Sequence, residues 1–426
     1  MKKICLIILL VFMAVYFSIL KSLASSDIVI LNTNNNKYHK VDCEYAKYTK
    51  NCKNIRKPLI RYSSAACCFP QKEKQQSLIQ KYKVKKIFNK INEDKISLFF
   101  VDPVKAKKAQ NKIINNVGLS LVALIDNAQS SIDIAAYGFD GQDDIINALR
   151  RAKKRGVIIR GVVDDYGATI YKRTNSVVKE FDFKTDINVP MAQRQFEKEF
   201  TRSKNALMHN KFVIVDSEYL WTGSTNLTNY CMTLNSNNSV VIISKDLARI
   251  YQNEFNQMYE SNKFHTLKKI VDNKNDLVIN DSNISVYFSP QDKVLTNAII
   301  PIIKEAKEKI YVSMFYLTNY WITDALIEAN NRGVEIRIIV DFTLQKEPKS
   351  QIDELKNAGI SVKIENWRGK MHQKSMVVDE FVTVIASTNW TGASEYSNDE
   401  NMLVIKNKAV ANVQEKEFLR LWKSIK

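Results

Sequence analysis

The stretches MHNKFVIVDSEYLWTGSTNLT (208–228) and MHQKSMVVDEFVTVIASTNWT (371–391) share one pattern, H-x-K-x4-D-x6-[G/A]-S-x-N. The first contains His209, Lys211, Asp216, Gly223, Ser224 and Asn226; the second contains His372, Lys374, Asp379, Ala386, Ser387 and Asn389. Each member of the second set lies 163 residues after its partner (372 − 209 = 163; 389 − 226 = 163). The chain has only 4 histidines, and two of them occupy equivalent positions of this pattern. Two imidazoles supply a nucleophile and an acid, two ammonium groups hold an anion, and Ser and Asn add hydrogen-bond donors. Such a set suits the binding and cleavage of a phosphodiester.

The duplication extends upstream of each motif. SSIDIAAYGFD and DIINALRRAKKRGVIIRGVVDD precede the first; EKIYVSMFYLT and ITDALIEANNRGVEIRIIVDF precede the second. Each reads as a strand, an amphipathic helix and a Val/Ile-rich strand. Arg155-Gly156-Val157 and Arg332-Gly333-Val334 mark the same helix-to-strand turn, where Gly suits a helix C-terminus. Further back, SLFFVDP (97–103) echoes SVYFSPQ (285–291). Strands alternating with helices, twice over, predict an α/β fold of two homologous halves, each a mixed sheet flanked by helices. The halves pack as a pseudo-twofold pair around one central active site. Their expected limits are 96–265 and 283–426, with an Asn/Asp/Lys-rich bridge between them.

The paired His-Lys-Asp motif resembles the phospholipase D superfamily over roughly residues 95 to 426, and the continuation SEYSNDENMLVI is most similar to its bacterial endonuclease branch. The resemblance implies phosphodiester chemistry through a covalent phosphohistidine, with no catalytic metal or other cofactor. One His attacks; the other protonates the leaving oxygen and then activates water. Lys211 and Lys374, with Asn226 and Asn389, stabilise the phosphoryl oxygens, and Ser224 and Ser387 line the same pocket. Asp216 and Asp379 end apolar strands, where alternation turns them away from His and Lys; they read as structural acceptors. The resemblance also assigns the orientation of each imidazole to a residue 28 positions downstream: Glu400 follows His372, and Asn237 follows His209. A carboxylate raises imidazole basicity, whereas an amide leaves the imidazolium a better acid. If pairing crosses between halves, Glu400 serves His209 as nucleophile and Asn237 serves His372 as acid; if it stays within each half, the roles swap. The crossed arrangement is the expectation. His265 has no motif context and reads as incidental.

Lys and Arg number 63 against 45 Asp and Glu, a net charge of +18. That surface favours polyanions, nucleic acid or anionic phospholipid, without choosing between them. Lys172, Arg173, Arg194, Lys198, Arg202 and Lys204, interleaved with Tyr171, Phe196 and Phe200, suit a strand of nucleic acid or an anionic membrane surface. Trp367, Arg368 and Lys370 are placed to form the opposite rim. The alternatives to a hydrolase are a phosphatidyltransferase of the cardiolipin synthase type and a non-catalytic polyanion-binding scaffold; intact His, Lys and Asn in both copies argue against the scaffold. Both halves lie in one chain, so a monomer is expected to suffice.

Residues 1–24 combine Lys2 and Lys3, an apolar run and a small-residue cleavage site, the pattern of a signal peptide or a retained N-terminal anchor. Either predicts export, to a secreted or periplasmic location or to the membrane. Cys5 belongs to this leader and Cys231 stands alone, whereas Cys43, Cys52, Cys67 and Cys68 crowd into a module over 25–72. The module is similar to a small Cys/His unit found beside some bacterial nuclease domains, although Ala65 stands where that unit has a Cys. Disulfides suit an exported compartment, and a structural zinc is available to His39, Cys43 and Cys68 with Cys67 or Cys52. Residues 73–95 read as a basic helical linker with a solvated charged face.

Overall fold

The computed structural model describes residues 83–426 except 114, 187–205 and 273–276, together with four strand segments nearer the N-terminus. Two units divide the chain, Met1–Lys83 and Val84–Lys426. In the first, β1 (Ile28–Asn32) pairs antiparallel with β2 (Lys37–Lys40) and β3 (Cys52–Arg56), and β4 (Ser63–Ser64) runs parallel beside β2. The leader and the side chains of His39, Cys43, Cys52, Cys67 and Cys68 lie outside the described residues. Among the described residues no helix is long and apolar enough to cross a membrane, and no cluster of His, Cys, Asp and Glu is arranged for a metal.

The sequence repeat is a repeat of strand order. A helix over 83–94 (α1) leads into β5 (Ile96–Phe100), and helix α2 (Asn116–Asn127) follows. The first half continues with β6 (Ser131–Ala136), β7 (Phe139–Asp140), α3 (Asp143–Lys154), β8 (Ile158–Val163) and β9 (Lys184–Thr185). It ends with β10 (Phe212–Val215), β11 (Tyr219–Gly223), β12 (Leu227–Thr228), β13 (Asn238–Ile243) and α4 (Lys245–Tyr259). The second half holds β14 (Leu277–Ile279), β15 (Ser282–Ser289), β16 (Lys309–Met314), α5 (Tyr320–Asn331), β17 (Glu335–Val340) and β18 (Ser361–Ile364). It ends with β19 (Lys374–Val378), β20 (Val382–Ala386), β21 (Glu400–Lys406) and α6 (Lys408–Ser424). The first sheet runs β5-β13-β11-β10-β6-β8-β9 and the second β14-β15-β21-β20-β19-β16-β17-β18. Apart from the extra β14, the orders are equivalent strand for strand. Both sheets are mixed: β6–β8 and β16–β17 are parallel, β6–β10 and β16–β19 antiparallel.

Local chemistry fixes these elements. Asn115 caps α2 by accepting the Val117 and Gly118 amides. Helix α3 carries Asp143 and Asp144 in its first turn and Arg151, Lys153 and Lys154 in its last, which complements the helix dipole. It ends at Gly156, whose φ of +88° is matched by +90° at Gly333, the left-handed C-terminus glycine tolerates best.

Each sheet has a helical outer face and an inner face turned to the other half. Val213, Val215 and Trp221 pack outward with α2 and α3; Met376, Val378 and Val384 pack outward with α5. Between the sheets Phe212, Ile214, Leu220 and Val240 meet Ile284, Val286, Phe288, Ile385 and Leu403, with α4 completing this shared core. The segment expected as a linker departs from that reading at its end. Val84 and Ile91 are buried, and Ile87 and Phe88 pack against the first-half core, because apolar residues recur at helical spacing within the Lys-rich sequence.

Candidate active site

The two motifs meet because each half supplies main chain to the other. Just before the first motif, Met208 bridges to Asp399; just before the second, Met371 bridges to Ser236. The His209 amide donates to the Asp399 carbonyl and the His372 amide to the Ser236 carbonyl, both at 2.9 Å. Ser236 and Asp399 are themselves 163 residues apart (399 − 236 = 163), so the two crossings are equivalent. The Lys211 amide adds a bond to Asn401 Oδ1 at 3.0 Å.

The imidazole pairing is crossed. His209 Nδ1 lies 2.8 and 2.9 Å from the Glu400 carboxylate oxygens, and His372 Nδ1 lies 2.8 Å from Asn237 Oδ1. Both contacts place an N–H at Nδ1 and leave Nε2 for chemistry. Each lysine folds back on its own histidine: Lys211 Nζ donates to the His209 carbonyl at 2.7 Å, Lys374 Nζ to that of His372 at 2.8 Å. All six groups are buried, Glu400 and Asn237 completely.

Burial and crowded positive charge set the protonation. Burial lowers the His209 imidazole to about 4; Glu400 pulls it upward, and Lys211 and Lys374 press it down. Burial also lowers Lys211 to about 8, against the pull of Glu400. His372 and Lys374 are pushed well below their ordinary values, by burial and then by neighbouring cations. Glu400 is held below the carboxylate range despite its burial, by His209 and Lys211. The resting pair is therefore a neutral imidazole donating to an ionised carboxylate. An anion between the lysines would offset their charge and raise both imidazoles.

The supporting residues take separate places. Ser224 Oγ donates to Asn237 Oδ1 at 3.0 Å and Ser387 Oγ to Glu400 Oε2 at 2.6 Å. Both serines are fully buried; they hold the imidazole partners and do not line the pocket as expected. Asn226 and Asn389 keep their Oδ1 atoms without a hydrogen-bond partner. Asp216 and Asp379 lie at the far ends of β10 and β19. Asp216 accepts the amides of Gln129, Ser130 and Ser131, and Asp379 those of Lys307, Glu308 and Lys309.

Several residues enter that their own sequence context did not mark. The Tyr137 ring stands edge-on to His209 at 5.4 Å, and Phe315 packs on His372 at 4.9 Å. They are equivalent, each one residue beyond β6 or β16, and only alignment of the two repeats exposes them. Cys231, a buried free thiol, lies 3.9 Å from His372 Nδ1; its counterpart by the 163-residue offset, Ser394, donates to Glu400 Oε1 at 3.2 Å. His265, expected to be incidental, is fully buried between carboxylates of both halves, Asp186 and Asp399. Its surroundings lack periodicity, which is why its sequence gave no warning.

Only part of the expected rim falls within the described residues. Arg194, Lys198, Arg202, Lys204, Phe196 and Phe200 and the Lys172 side chain lie outside the described residues. Arg173 is paired with Asp143 at 2.7 Å, and the Trp367 indole donates to Ser424, the last residue of α6. Tyr171 stands edge-on to Tyr137 at 6.1 Å. Arg368 is exposed and donates to the Lys107 carbonyl, and Lys370 Nζ lies 5.1 Å over the Phe315 ring.

A family described as "Cardiolipin synthase, PLD-like domain" matches residues 121–259 and 299–422, one copy per half. The chain is 33% identical over 145 residues to a phospholipase D of Rickettsia prowazekii (strain Madrid E), covering 34% of this chain and 68% of that protein. It is 34% identical over 117 residues to a mitochondrial cardiolipin hydrolase of Xenopus laevis, covering 28% and 56%. Among solved structures, the phosphatidylserine synthase of Haemophilus influenzae Rd KW20 aligns with 79% of this chain and 90% of its own, with a TM-score of 0.54 at 14% identity; that likeness concerns the fold. Nuc from Salmonella typhimurium covers 34% of this chain and 97% of its own, with a TM-score of 0.32 at 26% identity.

Proposed function

The chain belongs to the phospholipase D superfamily, and from that premise we propose that it hydrolyses phosphodiesters with His209 as nucleophile and His372 as general acid. The unequal crossed pairing, Glu400 on His209 and Asn237 on His372, carries this assignment. The ionised carboxylate stabilises the charge that develops on the attacking ring, and the amide does not. His209 Nε2 forms a bond to phosphorus as the phosphorus–oxygen bond of the leaving group breaks. His372 gives that oxygen its proton. Water then attacks phosphorus, His372 takes up a proton, and the phosphorus–nitrogen bond breaks to release a phosphomonoester and free His209. Lys211 and Lys374 meet the phosphoryl oxygens. No step calls for a metal ion.

The substrate we favour is nucleic acid. Support comes from the net charge of +18 and from Lys370, whose ammonium shares the Phe315 ring with Lys374 beside His372. A phospholipid headgroup is the second reading, favoured by the exposed Tyr230, Tyr320 and Trp321 and by the names of the Rickettsia and Xenopus relatives. The proposal includes export through the 1–24 leader and activity as a monomer.

The deciding experiment incubates the purified chain with single-stranded DNA, duplex DNA and cardiolipin vesicles, each with EDTA. Cleavage of DNA in EDTA supports the reading, and headgroup release alone moves the substrate to lipid. Turnover that EDTA abolishes while the fold persists overturns the metal-free mechanism.

A further inference from the structure

One buried cluster has no task in that mechanism. His265, at φ 54°, is fully buried. Its amide donates to Asp399 Oδ1 at 2.7 Å. Its Nε2 hydrogen-bonds Asp186 Oδ2 at 3.2 Å, and its Nδ1 lies 3.0 Å from Asp399 Oδ2, at ion-pair distance but outside hydrogen-bond geometry. Lys268 Nζ lies 2.8 Å from Asp399 Oδ1 and also bonds Glu254 and the Ser289 carbonyl. A carboxylate oxygen within 3.2 Å of each ring nitrogen favours the doubly protonated, charged ring over a neutral one.

Asp399 ties this cluster to the site. Its amide donates to the Leu207 carbonyl at 2.8 Å and its carbonyl accepts the His209 amide at 2.9 Å; the next residue is Glu400. One residue therefore fixes both the main chain of His209 and the origin of the carboxylate on its ring. The equivalent on the other side is Ser236, whose hydroxyl accepts from Gln373, so the charged anchor stands behind His209 alone.

We infer that His265 is a positioning residue for attack by His209: its imidazolium, with Lys268, clamps Asp399, which holds His209 and Glu400 in register. The inference rests on His209 being the nucleophile. The charged groups facing the clamp are Asp186, Asp399 and Lys268, with Asp164 close by and Glu254 reached through Lys268. Burial opposes the charge on His265, but Asp399 and Asp186 lift its pKa to about 9. Deprotonation leaves two carboxylates against a neutral ring, so the clamp loosens as pH rises through that value.

The test follows phosphoenzyme formation from bis(4-nitrophenyl) phosphate, whose leaving group needs no acid, so the alkaline limb of this step is not set by His372. His265→Gln keeps one donor and removes the charge. Its attack rate is expected to fall about tenfold or more at neutral pH, with KM little changed; the part of the alkaline fall near pH 9 is expected to vanish, while the fall set by Lys211 near 8 remains. Wild-type rates with an unchanged alkaline limb, even at reduced thermal stability, overturn the inference. With only 4 histidines in the chain, 15N spectra of the wild type give a check independent of the variant's folding. One ring doubly protonated at pH 7–8, titrating with the alkaline fall, supports the clamp; all rings neutral at pH 7 overturns it. Absence of any phosphoenzyme in the wild type ends the nucleophile reading instead, and the spectra still judge the clamp.

Discussion

At the scale of single residues, the site is two similar histidines made unlike by one neighbour each. His209→Ala is expected to abolish the acid-labile phosphoenzyme. His372→Asn is expected to let it form and persist with an activated diester, because only the poor leaving group needs the acid. Glu400→Gln should slow attack by up to about 10⁴-fold, the loss that a carboxylate-to-amide change brings to the imidazole of a catalytic triad. Mapping the labelled histidine checks all three, and label on His372 in the wild type would reverse the roles. The motif residues were legible because a repeat doubles the signal of each. His265 was not, since its value lies in Asp186 and Asp399, 79 and 134 positions away. Ser224 and Ser387 were placed in the right neighbourhood, but their bonds to Asn237 and Glu400 were not foreseen, because spacing cannot say which way a hydroxyl points.

At the scale of elements, the hairpin joining β10 to β11 shows what the motif aspartate does. Asp216 and Ser217 have φ of 53° and 52°, and Asp379 and Glu380 of 50° and 56°, the left-handed pair of a tight hairpin turn. From this turn the Asp216 carboxylate ties the hairpin to the start of β6. Asp216→Ala should cost about 2–3 kcal/mol in a denaturant titration, the loss of bonds to a charged acceptor, with catalysis intact in the folded fraction. Burial pushes the Asp216 pKa up, but the amides of Ser130, Gln129 and Ser131 outweigh it and hold it below the ordinary value. Its stabilisation is therefore full above the unfolded pKa and fades as pH falls through the folded one, a loss the variant should lack. Strand and helix types followed from periodicity. The end of the linker is helical as read, but its packing on the core through Val84, Ile87, Phe88 and Ile91 was not legible, because the Lys-rich surroundings suggested a solvated helix.

At the scale of the molecule, the shared core between the sheets decides whether there is a site at all. Phe212 stands edge-on to Tyr251 at 5.0 Å, and Tyr251 to Phe288 of the other half at 5.1 Å. Phe212→Ala should cost about 3–5 kcal/mol and weaken phosphoenzyme formation together with stability. Chains 84–272 and 277–426, made separately, should each be inactive and regain activity only when refolded together. That the halves share one cleft was legible from the duplication; which sheet faces meet was not. FVIVD is apolar on both sides, and only the fold sends Phe212 and Ile214 inward and Val213 and Val215 outward. The crossed partners carry a further consequence for inheritance. In a dimer of identical halves one codon would serve both positions, so both histidines would have Glu or both would have Asn. With two copies in one reading frame, Glu400 and Asn237 are separate heritable characters, and a substitution at either falls on one step of the reaction alone.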